Sequence, residues 1–196
     1  MARKKSSLVN YKGEAMELKY NEKKAIQIAA LLLKKSGGKM DMLRLTKLLY
    51  LVDREAFMRW GLPLTGDDYA SMKYGMVLSE TYSLSRRKFL QHRLWDNYIS
   101  APDNNYVMAL IADPEDDELS ENDVDLVNEI FETYKDKSTR FLIESVHHKL
   151  PEWKDVGNSS LIIPYDEVLG QSGVSEDQIE TVINDIEDYS YFQQFS

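Results

Sequence analysis

Apolar residues recur with a helical period over most of the chain. In residues 21–35, Ala25, Ile28, Ala29 and Leu32 fall at i, i+3, i+4 and i+7, and Ser36-Gly37-Gly38 supplies a stop. Over residues 41–60, Leu45, Leu48, Leu49, Val52 and Ala56 make one stripe and Leu43, Tyr50 and Phe57 a second, before Gly61 and Pro63 end the run. Apolar surface on more than one side predicts a central helix. Residues 67–73 lack a helical period and read as extended, whereas 76–88 return to one through Val77, Thr81 and Leu84. Residues 94–100 and 106–111 flank Ala101-Pro102-Asp103-Asn104-Asn105, whose Pro, Asp and Asn favour a turn, so a β-hairpin is expected there. An isolated hairpin is at best marginally stable, and pairing with 67–73 in one small antiparallel sheet is the expected remedy.

Helix starts in the second half are marked by caps. Ser120 precedes the stripe Val124, Val127, Ile130, Phe131 and Tyr134, with Asp123 three residues on. Ser138 opens a helix carrying Phe141, Leu142 and Val146 that Pro151 stops. Pro164 suits the first position of a short helix ending near Gly170, and Ser175 with Gln178 forms a capping box for Ile179, Val182, Ile183, Ile186 and Tyr189. The pattern predicts a mainly α (α+β) single domain of about seven helices with a small antiparallel β-sheet or hairpin. Its expected division is an N-terminal extension over 1–20, a domain over 21–189 and a tail over 190–196.

Charge refines this picture. Residues 1–100 carry 19 Lys and Arg against 10 Asp and Glu, and residues 101–196 carry 5 against 23. The division predicts a dipolar molecule, attractive to an acidic partner on one side and a basic one on the other, or two solvated faces that aid solubility. No cysteine is present, which removes disulfides and Cys-based metal sites and fits a reducing compartment. No run approaches 18 consecutive apolar residues, and MARKKSSLVN leads into polar sequence where a signal peptide needs an apolar core. A cytoplasmic location is expected, away from membranes.

Candidate chemistry is sparse. Glu144 and His148 stand four apart on a predicted helix, but no third metal ligand accompanies them, and a helix-stabilising pair is the plainer reading. The run 113–118 (DPEDDE) lacks the Gly and distal Glu that close a calcium loop, and reads as a solvated turn. No phosphate-cradling glycine loop and no nucleophile elbow is present. Gly75 stands at an extended-to-helix junction, as an anion site or a plain turn glycine. No catalytic residue, metal or cofactor is nominated. Arg86, Arg87, Lys88 and Arg93, interleaved with Phe89, His92 and Trp95, suit phosphates and bases or equally an acidic protein; a pI near 4.9 weighs against nucleic acid.

Three blocks in order resemble a known family: KLLYLVDREA at 47–56, GLPLTGDDY at 61–69 and YGMVLSETY at 74–82. They resemble the Panacea domain of SocA-like antitoxins, often encoded by bacteria and phages, whose pattern reads KLLYxxD, GxPxTGDxYxAMxxGPV and SxTY. The Asp-Pro at 113–114, the helix start at 119–123, HKLPEW at 148–153 and SLIIPY at 160–165 extend the resemblance over about residues 20–185. Two positions depart from it: Met76 replaces the proline of Gly-Pro, and Ser71 stands beside Ala70 where an alanine is usual.

The resemblance implies a helical protein-binding domain without catalysis, whose partner is a cognate toxin protein that it neutralises by binding. One line of members also hands its toxin to a protease as an adaptor. Some members carry an N-terminal DNA-binding domain, for which residues 1–20 are too short. Aromatics and arginine commonly anchor interfaces, which nominates Tyr50, Arg54, Trp60, Tyr69, Tyr74 and Tyr82 as toxin contacts. The competing reading places Tyr50 and Tyr82 in the core and pairs Arg54 with a carboxylate within the fold. A nucleic-acid-binding regulator is the alternative function, and an enzyme ranks third.

Overall fold

The computed structural model describes residues 18–86 and 93–195, with the side chains of His147 and His148 excepted. Helix α1 (Glu22–Lys35) opens on Asn21, whose side chain accepts from Lys24 N, and strand β1 (Lys39–Asp41) follows. Asp41 caps α2 (Met42–Trp60), which ends at a left-handed Gly61. Strands β2 (Tyr69–Met72) and β3 (Val77–Leu78) lead into α3 (Ser79–Ser85). Beyond a 3-10 turn at Leu94–Asn97 come β4 (Val107–Ala109), α4 (Glu121–Tyr134), α5 (Thr139–His148), β5 (Ser160–Ile163), α6 (Tyr165–Gln171) and α7 (Glu176–Gln193). Among the described residues, seven α-helices with two small antiparallel sheets bear out the mainly α reading.

Both stripes of α2 are used. Leu45, Leu48, Leu49, Tyr50, Val52, Ala56 and Phe57 are all buried, and α1, α3, α4 and α5 pack around this helix together with β1 and β3. Tyr50, Phe57, Tyr69 and Tyr165 stack edge to face or tilted, with centroids 5.0–6.3 Å apart, and join α2 to β2 and α6. Aromatic pairs in such geometry add about 0.5–1.5 kcal/mol each beyond their buried area.

The sheets differ from expectation. The extended segment at 67–73 is β2, but its partners are β3 on one side and β5 on the other, with Tyr69 opposite Ile163 and Met72 opposite Ser160. The hairpin of 94–100 with 106–111 shrinks to one bridge, Ile99 to Leu110, and β4 takes β1 as its ladder partner. The cause is Trp95: the 3-10 turn carries its indole into the core, and its backbone N donates to Glu22 Oε1 of α1 at 3.0 Å. The helix expected from Met76 starts at Ser79, because Val77-Leu78 pair with β2 first. Pro164 is the N-cap residue of α6 and stands just ahead of its first turn.

Both departures from the family pattern have structural roles. Ser71 Oγ donates to Lys154 O at 2.6 Å and accepts from Lys154 N at 3.0 Å, a reciprocal pair an alanine lacks. Met76 N donates to Val146 O of α5 at 3.4 Å, a bond a proline lacks, and its side chain is fully buried. The close approach of α5 also fixes Gly75, at φ +94°, where an added Cβ would fall 2.9 Å from Val146 O.

Two substitutions test these contacts. Gly75→Ala is expected to cost about 1–3 kcal/mol in urea unfolding, from unfavourable φ and the collision with α5. Ser71→Ala should cost about 1–3 kcal/mol, since Lys154 N and O lose their partner in a part-buried site.

Candidate functional site

Helix α2 carries polar groups into the interior as well as apolar ones. Asp53 is fully buried, and its carboxylate accepts from Thr65 N at 2.8 Å and Tyr69 Oη at 2.9 Å. Asp67 is equally buried and accepts from Glu80 N, Thr81 N and Thr81 Oγ1 at 2.7–2.8 Å. The N-cap residue of α3 is Leu78, which offers no side-chain acceptor, so Asp67, just ahead of β2, caps that helix across the β2–β3 pair. Burial raises both carboxyls, Asp53 to about 6 and Asp67 to about 7, and the Asp53 charge adds to the rise at Asp67.

A second cluster joins α2 to the segment after α5. Glu152 is fully buried; it accepts from Tyr50 Oη at 2.8 Å and from Arg54 through Nε at 2.5 Å and Nη2 at 3.2 Å. Arg54 Nη2 also donates to Ser172 Oγ at 2.9 Å. Every ionised group of this cluster has charge-assisted bonds, the condition for a stable buried pair. These hydrogen-bonded acids hold segments together, and their lone pairs face donors of the fold itself.

The six nominated residues therefore divide. Tyr50, Tyr69 and Arg54 are inside, bound to Glu152 and Asp53; Arg54 pairs with Glu152, ninety-eight positions away. Trp60 (45% exposed) and Tyr74 (55% exposed) reach the surface, and Tyr82 is half-buried with Arg86 Nη1 3.4 Å from its hydroxyl. Tyr74 and Tyr82 line one cleft of about 170 Å³ with Lys47, while Trp60 lines another of about 620 Å³ between the end of α2 and α7, with Val182, Ile186 and Tyr189.

Trp95 of the basic-aromatic cluster is 1% exposed, which withdraws its ring from stacking on bases, and Arg86 lies near the Tyr82 ring; Arg87, Lys88, Phe89 and His92 lie outside the described residues. The side chain of His148 also lies outside them, and Glu144 accepts from Arg140 Nε at 2.9 Å. Among the described residues no group of three or more His, Asp or Glu is placed to hold a metal ion, and no helix is long and apolar enough to cross a membrane.

The unequal charge of the two halves resolves into contacts. Lys23 meets Asp117 and Glu118, Lys24 meets Asp123, Lys34 meets Asp113, and Arg59 meets Glu129. First-half cations thus face second-half anions within one fold, which reduces the expected dipole. Among the described residues, no acid of α7 takes part in an ion pair. Residues 155–196 hold no Lys or Arg, and Glu176, Asp177, Glu180, Asp185, Glu187 and Asp188 lie on this helix. Its far end exposes Tyr191, Phe192 and Phe195, with ring centroids 5.1–5.9 Å apart, and the helix continues through Gln193. The expected tail over 190–196 is helical as far as Gln193, so Tyr191 and Phe192 stand on α7 and Phe195 follows its C-cap.

A family model described as the SocA-like antitoxin, Panacea domain, matches residues 45–154, more than half of the chain. No curated protein and no solved structure matches. The matched span contains α2 from Leu45 onward, β2, β3 and Glu152, so the buried acids lie inside it, and Ser172 and α7 lie outside.

The raised carboxyls set a pH dependence. An acid with a higher pKa folded than unfolded binds its proton more tightly in the folded state, so its contribution is full below about pH 4 and declines as pH rises through 6–7. Between pH 4.5 and 6.5, chemical denaturation should show Asp53→Asn losing less stability than the parent, the difference in slope amounting to about 1–3 kcal/mol over the window. Equal slopes would mean that Asp53 does not titrate there.

Proposed function

Since the chain belongs to the SocA-like antitoxin, Panacea-domain family, we propose that it neutralises a cognate toxin protein by binding it directly and covering its working surface. The buried carboxylates support this reading over catalysis, because the groups that donate to them belong to the fold itself and all three carboxylates are shut off from solvent.

The observation that carries the reading is a set of exposed aromatics on and beside one acidic helix, α7. Trp60 and Tyr189 line the cleft beside α7, and Tyr191, Phe192 and Phe195 continue beyond it. Large aromatics left in water at such density are the anchors of protein interfaces. The surrounding acids, unmatched by any cation on α6 or α7, favour a toxin with a basic face, because complementary charge accelerates encounter and excludes wrong partners. Occlusion then follows from docking alone. Tyr50, Arg54 and Tyr69 contribute from inside, by holding α2 against its neighbours.

Co-expression with the product of the adjacent gene tests this. Growth arrest by that product should be relieved by the parent chain, and the two should co-purify. Arrest unaffected by the chain would sink the antitoxin reading. Trp60→Ala and Phe195→Ala should each weaken the complex about tenfold or more, as anchor residues do, without lowering the unfolding midpoint.

A further inference from the structure

We propose that the cleft between the β2–β3 turn, α3 and the loop before β5 is a binding site for a carboxylate group, with the Lys47 ammonium at its floor as counter-ion. Lys47 is 1% exposed, and among the described residues its Nζ has one hydrogen-bond acceptor, Met76 O at 2.9 Å. An ammonium has three N–H donors, and a charge taken out of water is costly unless paired. Asp53, Asp67 and Glu152 meet that condition with two or three donors apiece; Lys47 does not, and no carboxylate of the described residues forms an ion pair with it. Burial accordingly draws its pKa down to about 7.

The walls fit an anion. Leu43, Met72 and Val77 supply an apolar lining, Lys73, Tyr74 and Asn158 supply side chains able to donate, and Tyr82 and Ser159 complete the wall, with no Asp or Glu among them in a chain of net charge −9. Lys73 Nζ lies 5.6 Å from the Tyr74 ring centre and 3.4 Å from Asn158 Oδ1, which leaves Lys47 as the cation at depth. The size decides the class of ligand. About 170 Å³ holds roughly five or six waters, and it lies below the ~300–1,000 Å³ of a typical drug-sized site. A carboxylate on a short aliphatic stem fits, either as a free acid or as the side chain of a glutamate on a bound polypeptide. Its arrival restores the proton on Lys47 and gives the amine a charged acceptor. The site does not depend on the toxin-binding reading.

Backbone amide shifts of the full-length chain, recorded at pH 7 and constant ionic strength, provide the test. Glutarate represents the free acid, N-acetylglutamate α-amide the side-chain source, and N-acetylglutamine α-amide and chloride are the controls. Saturable shifts at Lys73, Tyr74, Val77 and Ser159 with either carboxylate, absent with both controls, are expected, and the stronger of the two carboxylates identifies the source. Lys47→Met should weaken binding tenfold or more while preserving the remaining spectrum, and Tyr74→Ala should weaken it with Lys47 intact. If Lys47→Met does not fold, protection of Lys47 from amine acylation in the parent chain, read by mass spectrometry with and without each carboxylate, replaces it. Shifts equal to those with chloride, affinity unchanged in both variants, or unaltered acylation of Lys47 would each overturn the proposal.

Discussion

A polar or charged group removed from water must find a partner, and α2 carries four such groups inward. Lys47, Tyr50, Asp53 and Arg54 sit on one helix, yet their partners come from Met76, from Glu152, from Thr65 and Tyr69, and from Ser172. Leaving any of these groups unpaired costs a kilocalorie or more, and a lone buried charge costs several. The positions of the β2–β3 segment, of the segment after α5 and of the end of α6 are therefore dictated by α2. The surrounding apolar contacts supply the driving force, and the polar ones select the arrangement.

Legibility in the sequence followed the range of the interaction. Caps are local: Ser120 with Asp123, Ser138, and Ser175 with Gln178 announce helices within four residues, and each does start one. The stripes of α2 are local as well, and its central place followed from them. Strand partners are not local. β2 pairs with β5 some ninety positions away, and β5 is four residues long with no alternation to mark it. Trp95 and Val107 have β-type neighbours in the sequence, but a buried indole against α1 takes precedence over a hairpin ladder.

For the candidate site, residue type was informative and exposure was not. Aromatics and arginine in the family blocks looked alike as letters. Burial separates Tyr50 and Tyr69 from Trp60 and Tyr74, and nothing in a heptad-like spacing of Leu43, Tyr50 and Phe57 distinguishes a core ring from a surface one. In the sequence Lys47 is simply the first letter of KLLYLVDREA. A lysine in the middle of an apolar stripe is the one sign that could have drawn attention to it, since lysine is rarely buried without a reason. The charge asymmetry between halves was visible at once, but pairing across the fold converts much of it from an external field into bracing.

The distance along the chain between α2 and its partners bears on how the protein is made. A ribosome adds roughly 5–20 residues each second, so several seconds separate the emergence of Arg54 and Tyr50 from that of Glu152, and more pass before Ser160–Ile163 can join β2. During that interval an arginine and a tyrosine hydroxyl of α2 lack their acceptor, and β2 presents an open edge. Helices α1 to α4 can form early from local signals, but the interior cannot close until its last third arrives. Closure of the core thus waits on segments made long after α2, with α2 as the template on which it occurs.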